Sequence, residues 1–336
     1  MSALHAPSAE AFARQGPLFS SLPSPLPDPQ QWAAAGALLL SSLGSDRTDT
    51  CELMVEDLDE ELAVRIFHLY LPIYFWCRHR VRLVAESGGG PVAIGLSAPQ
   101  GCGKTTLVTA LKEMFLMDGL VCADVSIDDF YITGAEQEQL SASHPSNPLW
   151  KVRGNAGTHE LALGSSTISA LLRGEREVPI PRYDKAARGG KGDRKPRSAW
   201  PVQVEAPDVV LLEGWMAGFK PLPSAHPTLS TNAGLPEINA ALGAYDAWDV
   251  LLDSWVVLAV DDIEHVFNWR LQAERGMAAT GRPGMSDEEV RDFVIRYMPA
   301  YNAYLPGLYS AAEASGIDGK PTLLVQMDGQ RRPVSR

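Results

Sequence analysis

An apolar run, Pro91 to Ser97, feeds directly into Ala98-Pro-Gln-Gly101-Cys-Gly103-Lys104-Thr105-Thr106, and an amphipathic stretch begins at the lysine. No other segment constrains the fold as tightly. A buried strand, a glycine-rich turn and a helix opening on Lys-Thr form the arrangement in which backbone N–H groups close around phosphate oxygens, with the helix N-terminus adding positive potential. In this Walker A pattern Gly101, Cys102, Gly103, Lys104, Thr105 and Thr106 are the expected nucleotide-binding residues. Lys104 would reach the β- and γ-phosphates, and the Thr105 hydroxyl would ligate Mg2+. One position departs from GxxxxGK[ST]: Ala98 stands where the pattern has its first glycine, and alanine does not take positive φ comfortably.

The rest of the chain agrees with such a fold. Pro91 to Ser97, Leu120 to Ser126, Val209 to Leu212, Ser254 to Val260 and Thr322 to Gln326 are short and rich in Val, Leu and Ile, as buried parallel strands are. Helical stretches lie between them: Lys104 to Met117 with Leu107, Leu111, Met114 and Phe115 on one face, His159 to Arg173 after a Thr158 N-cap, Ile263 to Arg275, and one starting at the capping box Ser286 to Glu289. The alternation predicts an α/β, doubly wound parallel sheet of about five strands. Ahead of it, 31–87 reads as a helical extension closed by Gly88-Gly89-Gly90, and the Ala/Ser/Pro-rich opening, 1–30, reads as disordered. The main domain is expected over 91–330. Two long irregular stretches, Arg182 to Trp200 and Lys220 to Pro236, are candidates for function or disorder.

Charge narrows the partners. With 29 basic and 41 acidic residues among 336, the formal net charge is −12, which argues against a nucleic-acid binder but not against a local basic pocket for a small anion. The apolar window Leu62 to Val84 holds Arg65, His68, Pro72, Arg78, His79 and Arg80, too polar for a membrane span. Cys51, Cys77, Cys102 and Cys122 show no metal spacing, so a reducing, cytoplasmic location is expected, or an organelle stroma if the opening is a transit peptide; Arg14 is its one basic residue before position 30. Oligomeric state is not legible.

Carboxylates at strand ends beside the phosphate loop supply the chemistry. Asp128 and Asp129 follow the second strand, where an acid can accept a hydroxyl proton and orient the oxygen for in-line attack; Asp128 is the candidate base, and a plain turn pair is the competing account. Glu213 closes Val209 to Leu212 as a Walker B acid does, a candidate Mg2+ ligand beside Thr105. Lys185, Arg188, Lys191, Arg194, Lys195 and Arg197 crowd one loop against Asp193; they read either as an anion pocket or as a solvated charge run. Arg270, Arg275 and Arg282 sit on and after the helix behind the fourth strand, suited to a lid over phosphates, although Arg270 and Glu274 at i,i+4 also suit a surface ion pair. His159 is ordinarily a capped surface histidine, and Cys102 either an activated thiol or a passive small residue.

The strings GLSAPQGCGKTT, SIDDFY, RGNAGTHE, PRYDKAARGGKGDR, LLEGWMAGFKPL, YDAWD, WRLQAE, GMSDEEV and YLPGLY together resemble the P-loop D-glycerate 3-kinase family, from about Pro91 to the last strand. The resemblance implies ATP and Mg2+ as cofactors and γ-phosphate transfer to the 3-hydroxyl of D-glycerate, which in phototrophs closes the photorespiratory cycle. It implies kinship with uridine kinase, pantothenate kinase and phosphoribulokinase, whose strand-end aspartate base maps to Asp128 and whose Glu-Gly pair maps to Glu213-Gly214. On this view Lys104, Asp128, Glu213 and Arg270 act in catalysis and Arg275 touches the nucleotide. Asp129, Tyr131, His159, Tyr183, Lys185 and Arg194 face the acceptor, with Arg194 or Lys185 taking its carboxylate. A kinase of nucleosides or pantothenate and a hydrolysing switch or assembly ATPase are the alternatives.

Overall fold

A computed structural model describes residues 4–43, 53–279 and 285–335. Its centre is a five-stranded, all-parallel sheet of β1 (Val92–Ser97), β2 (Cys122–Ser126), β3 (Val209–Gly214), β4 (Ser254–Val260) and β5 (Thr322–Met327), in the order β2-β3-β1-β4-β5. Every residue of β1 and β4 is buried. Both faces of the central strands are therefore covered, which is why they read as unbroken apolar runs rather than as alternation. β1 lies between β3 and β4, and the strands that follow it in the chain fill first one side of it (β2, β3) and then the other (β4, β5). The crevice beyond the carboxyl ends of β1 and β3 is where ligands bind in open α/β sheets.

The helix after β1 runs Lys104–Met117, the predicted range, and buries Leu107, Leu111, Met114 and Phe115. The capping box at Ser286 makes both of its bonds and starts a helix at Asp287–Ile295. Thr158 does not cap the following helix, which is Leu161–Leu172; its hydroxyl instead donates to Asn155 O and accepts from Gly154 N–H. One long helix, Met298–Ala314, had no sequence expectation, because Pro306 interrupts its pattern. Arg182 to Trp200 is mostly irregular but pairs Tyr183–Asp184 with Asp193–Arg194. The stretch from Lys220 holds a 3-10 turn, Pro227–Thr231, and leads into a helix at Leu235–Leu242.

The opening residues depart from the expected disorder. A helix spans Ala6–Ala13 with Ala9 and Ala13 fully buried, and it packs on Pro29–Ser42, the first helix of the expected extension, which starts behind an Asp28–Gln31 capping box. The Ala/Ser-rich composition that suggests low complexity is what lets these two helices approach closely, and Phe12 stacks on His68 at 4.5 Å. Helical structure continues through Glu60–Ala63, a π-helical segment Val64–Tyr70, and Leu71–Glu86. This layer grips the helix of the phosphate loop: Tyr74 Oη donates to Met114 O at 3.1 Å and to Asp118, which Arg78 also meets at 2.7 Å. Among the described helices, none is long and apolar enough to cross a membrane.

Candidate active site

A cleft of about 580 Å3 opens at the carboxyl end of the sheet. Gln100, Gly101, Gly103, Lys104, Thr105 and Thr106 form one wall, Asp128, Tyr131, Arg153, Lys185 and Gly190 another, and Glu213, Trp215, Trp269, Arg270, Phe293 and Tyr297 complete it.

The loop owes its shape to two glycines in the left-handed region, Gly101 at φ +81° and Gly103 at φ +97°. Ala98 is not in that region, so its substitution for glycine strains nothing; it is buried and its N–H donates to Gly214 O on β3. The Lys104 ammonium donates to Ala98 O at 2.9 Å and Pro99 O at 3.0 Å, curling over the loop rim. Two supports come from far along the chain. Tyr301 Oη accepts from Gln100 N–H at 3.0 Å, and Arg331 Nε donates to Gly101 O at 2.8 Å while its guanidinium lies over Trp269. Cys102 is buried, and burial pushes its thiol up despite the neighbouring Lys104. It is the passive small residue rather than an activated thiol.

The two adjacent aspartates have opposite fates. Asp128 lies in the 3-10 turn Ile127–Phe130 directly after β2 and lines the cleft, its side chain 24% exposed. It accepts from Tyr131 Oη at 2.8 Å and from Lys185 Nζ at 2.6 Å. Burial alone would raise its pKa, but the Lys185 ammonium, the Tyr131 hydroxyl and His159 outweigh it and hold the carboxyl below its ordinary value. Asp129 turns away from the cleft and accepts from Arg182 at 3.0 Å and from Tyr183 N–H at 3.1 Å. Burial lifts it to about 6 against the pull of Arg182. Asp129 anchors the basic loop to the strand end.

Half of the basic loop's six cations, Lys185, Arg188 and Arg194, are paired with carboxylates. Arg194, 12% exposed, meets Glu160 and donates to Tyr131 O at 2.7 Å; it holds the backbone under Tyr131 and does not line the cleft. Arg188 meets Glu138 and Asp193. Lys185 alone among the basic residues from 185 to 197 lines the cleft, and Asp128 raises its pKa. Tyr183 lies behind the wall, its ring edge-on to Tyr131. His159 is buried, not a surface residue. It stacks on Tyr131 at 4.4 Å, shares a 2.6 Å hydrogen bond with Tyr245 Oη, and is pushed by burial down to about 3.

On the remaining side Glu213 pairs in register with Leu96 and Ser126, which places its carboxylate beside both the loop and Asp128's turn. Arg270 does two things the sequence left as alternatives: it pairs with buried Glu274 and it lines the cleft, over Phe293 at 4.9 Å. Arg275 is 68% exposed, pairs with Asp287 at 2.9 Å and stands outside the cleft. Arg282 and Cys51 lie outside the described residues. Trp215, Tyr297 and Arg331 carried no local signal that would have picked them out, whereas Arg153 opens the polar run Arg153 to Glu160, which reads in the sequence as an anion-ready helix start.

A glycine-rich loop on a strand-to-helix turn, two acidic strand ends beside it and a walled cleft for a second reactant define the class, a P-loop kinase. No family model matches the chain. It is 46% identical over 280 residues to the chloroplastic D-glycerate 3-kinase of Arabidopsis thaliana, a match covering 80% of this chain and 61% of the plant protein's length. It is 40% identical to the uncharacterized kinase mug58 of Schizosaccharomyces pombe, over 73% of this chain and 91% of that one. The solved D-glycerate 3-kinase of Cryptococcus neoformans superposes with a TM-score of 0.70 at 30% identity, covering 79% of this chain and 97% of the other. The chain belongs to the D-glycerate 3-kinase family of P-loop kinases.

Proposed function

We propose that this chain is an ATP-dependent kinase of D-glycerate, giving 3-phosphoglycerate and ADP. The observation that carries the reading is Asp128, an ionised carboxylate lining the same cleft as Lys104 and Thr105 in a member of this family. Asp128 accepts the 3-hydroxyl proton as that oxygen attacks the γ-phosphorus; the bond to the β–γ bridging oxygen breaks and ADP leaves. Lys104 and the loop N–H groups hold the β- and γ-phosphates, and Arg270 faces the charge that develops on the transferring group.

Thr105 and Glu213 suit Mg2+ as the divalent ion. Both offer hard oxygen donors, and among the described residues no cluster of three or more His, Cys, Asp or Glu forms a protein-only metal cage. A site with so few protein ligands fits an ion that keeps waters and shares the substrate phosphates. When bound, Mg2+ supplies charge neutralisation across the phosphates. Free thiols at Cys77, Cys102 and Cys122 support a reducing compartment, cytoplasm or organelle stroma alike.

The test is ADP release with Mg-ATP and D-glycerate, L-glycerate, uridine, pantothenate or no acceptor, with product position read by a 3-phosphoglycerate-specific coupling enzyme. Turnover with D-glycerate yielding 3-phosphoglycerate is expected. Turnover only with uridine or pantothenate would replace the substrate, and hydrolysis indifferent to every acceptor would replace the reaction class.

A further inference from the structure

Four cations line the cleft among the described residues: Lys104, Arg153, Lys185 and Arg270. Lys185 is paired with Asp128 and Arg270 with Glu274. Lys104 belongs to the phosphate loop. Arg153 differs from all three. Its partners are backbone carbonyls on the basic loop: Nη1 donates to Gly190 O at 3.1 Å and to Lys191 O, and Nη2 donates to Lys185 O at 3.3 Å. None of these carries a countercharge. Nε–H and the second Nη2–H have no acceptor among the described residues.

The guanidinium is also held in place. It lies over the Tyr183 ring at 5.3 Å from the centroid. Gly192 gives it room, since a Cβ there would come within 2.8 Å of Arg153 Nη1 and 2.4 Å of the Tyr183 ring. Arg153 and Asp128 grip opposite ends of one residue: Arg153 bonds the Lys185 carbonyl and Asp128 the Lys185 ammonium. Both therefore stand on the same wall, separated by about a lysine side chain. Tyr297 lines the cleft near both of them: burial raises its pKa, Asp128 raises it further, and Arg153 opposes the rise. A half-buried, immobilised guanidinium without an acidic partner is a preorganised site for a planar anion.

We infer that Arg153 is the specificity-determining residue that binds the acceptor's carboxylate, so that the far hydroxyl is presented to Asp128. This rests on the glycerate reading above. It moves the role expected of Arg194 or Lys185 to a residue whose charge is not already used.

The experiment compares kcat/KM for D-glycerate and for D-glyceramide, its uncharged amide, in wild type, Arg153→Gln and Arg153→Lys. A carboxylate clamp predicts that Arg153→Gln loses about 10²-fold with D-glycerate and only a few-fold with the amide, so that their ratio collapses. Arg153→Lys recovers part of the ratio, because the charge returns without the fork. A role confined to bracing the loop at 185–191 would lower both acceptors together, since positioning of Lys185 and Asp128 serves each alike. An unchanged ratio in folded Arg153→Gln, whether both activities fall or neither does, overturns the inference and leaves the glycerate reading standing. A wild type inactive on D-glycerate overturns that reading, and this inference with it.

Discussion

The two walls of the cleft are built by different means. The phosphate wall is one continuous stretch, Ala98 to Thr106, whose chemistry lies in backbone N–H groups, two glycine torsions and the start of a helix. The acceptor wall is assembled from residues far apart in sequence: Lys185 reaches Asp128 across 57 positions, Arg182 reaches Asp129 across 53, and Arg194 reaches Tyr131 across 63. A local wall fails when its own residues change. An assembled wall fails when any partner of an ion pair is lost, because the other is left charged and half-buried. Substitutions on the two walls should therefore fail in different currencies, turnover on the first and turnover mixed with stability on the second.

The largest effect is expected on the local wall. Lys104→Ala should reduce kcat by about 10³-fold or more with little change in thermal stability, and near-normal turnover would break the phosphate-loop assignment. Next comes the pair at the end of β2. Asp128→Asn should cost kcat about 10²-fold or more while nucleotide affinity holds. Asp129→Asn should act mainly on stability, by about 1–2 kcal/mol in chemical denaturation, since it alters the anchor to Arg182 and Tyr183. The reverse pattern would exchange the two roles.

Arg194→Ala sharpens the comparison further. Removing it leaves Glu160 without its guanidinium and Tyr131 O without a donor, so a stability loss of about 1–3 kcal/mol is expected. Its KM for D-glycerate should rise much less than that of Arg153→Gln, and a larger rise would return the carboxylate to Arg194. His159 adds a pH signature. Its folded pKa, about 3, lies below the unfolded value near 6.5, so the unfolded chain binds the extra proton between them and stability falls as pH falls through that window. From pH 7 to pH 5 the loss attributable to this group is about 2 kcal/mol. In urea unfolding, the stability gap between wild type and His159→Gln should change by that amount between the two pH values, because Asp129, lifted to about 6, works in the opposite direction in both proteins and cancels in the comparison. Least of all, Arg275→Ala should leave kcat and KM within about twofold and stability within about 0.5 kcal/mol, as befits an exposed pair with Asp287. A tenfold rise in the KM for ATP would restore its expected place at the nucleotide.

Much of the fold was legible. Five apolar runs became the five strands, and the Ser286 capping box and the Lys104 helix lie where their patterns put them. What was not legible has identifiable reasons. The helix at Met298–Ala314 hides behind Pro306, and the opening helix Ala6–Ala13 behind a composition that also suits a disordered tail. At the site, Asp128 and Glu213 were readable as strand ends, but His159 was placed on the surface because burial against Tyr245 and Trp248 depends on residues 86 positions and more away.

By itself the sequence determined the phosphate loop, the parallel sheet beneath it and the presence of acids at the strand ends. Those depend on torsional preference, apolar runs and chain direction, all properties of contiguous residues. Only the tertiary structure decided which aspartate faces the cleft, which cations are already neutralised, and that Arg153 keeps its charge available. Spacing shows that a chain carries a surplus of basic residues on one loop. Which of them is free to meet a substrate depends on which carboxylates folding brings within reach, because an ion pair is set by distance in space and not by order along the chain.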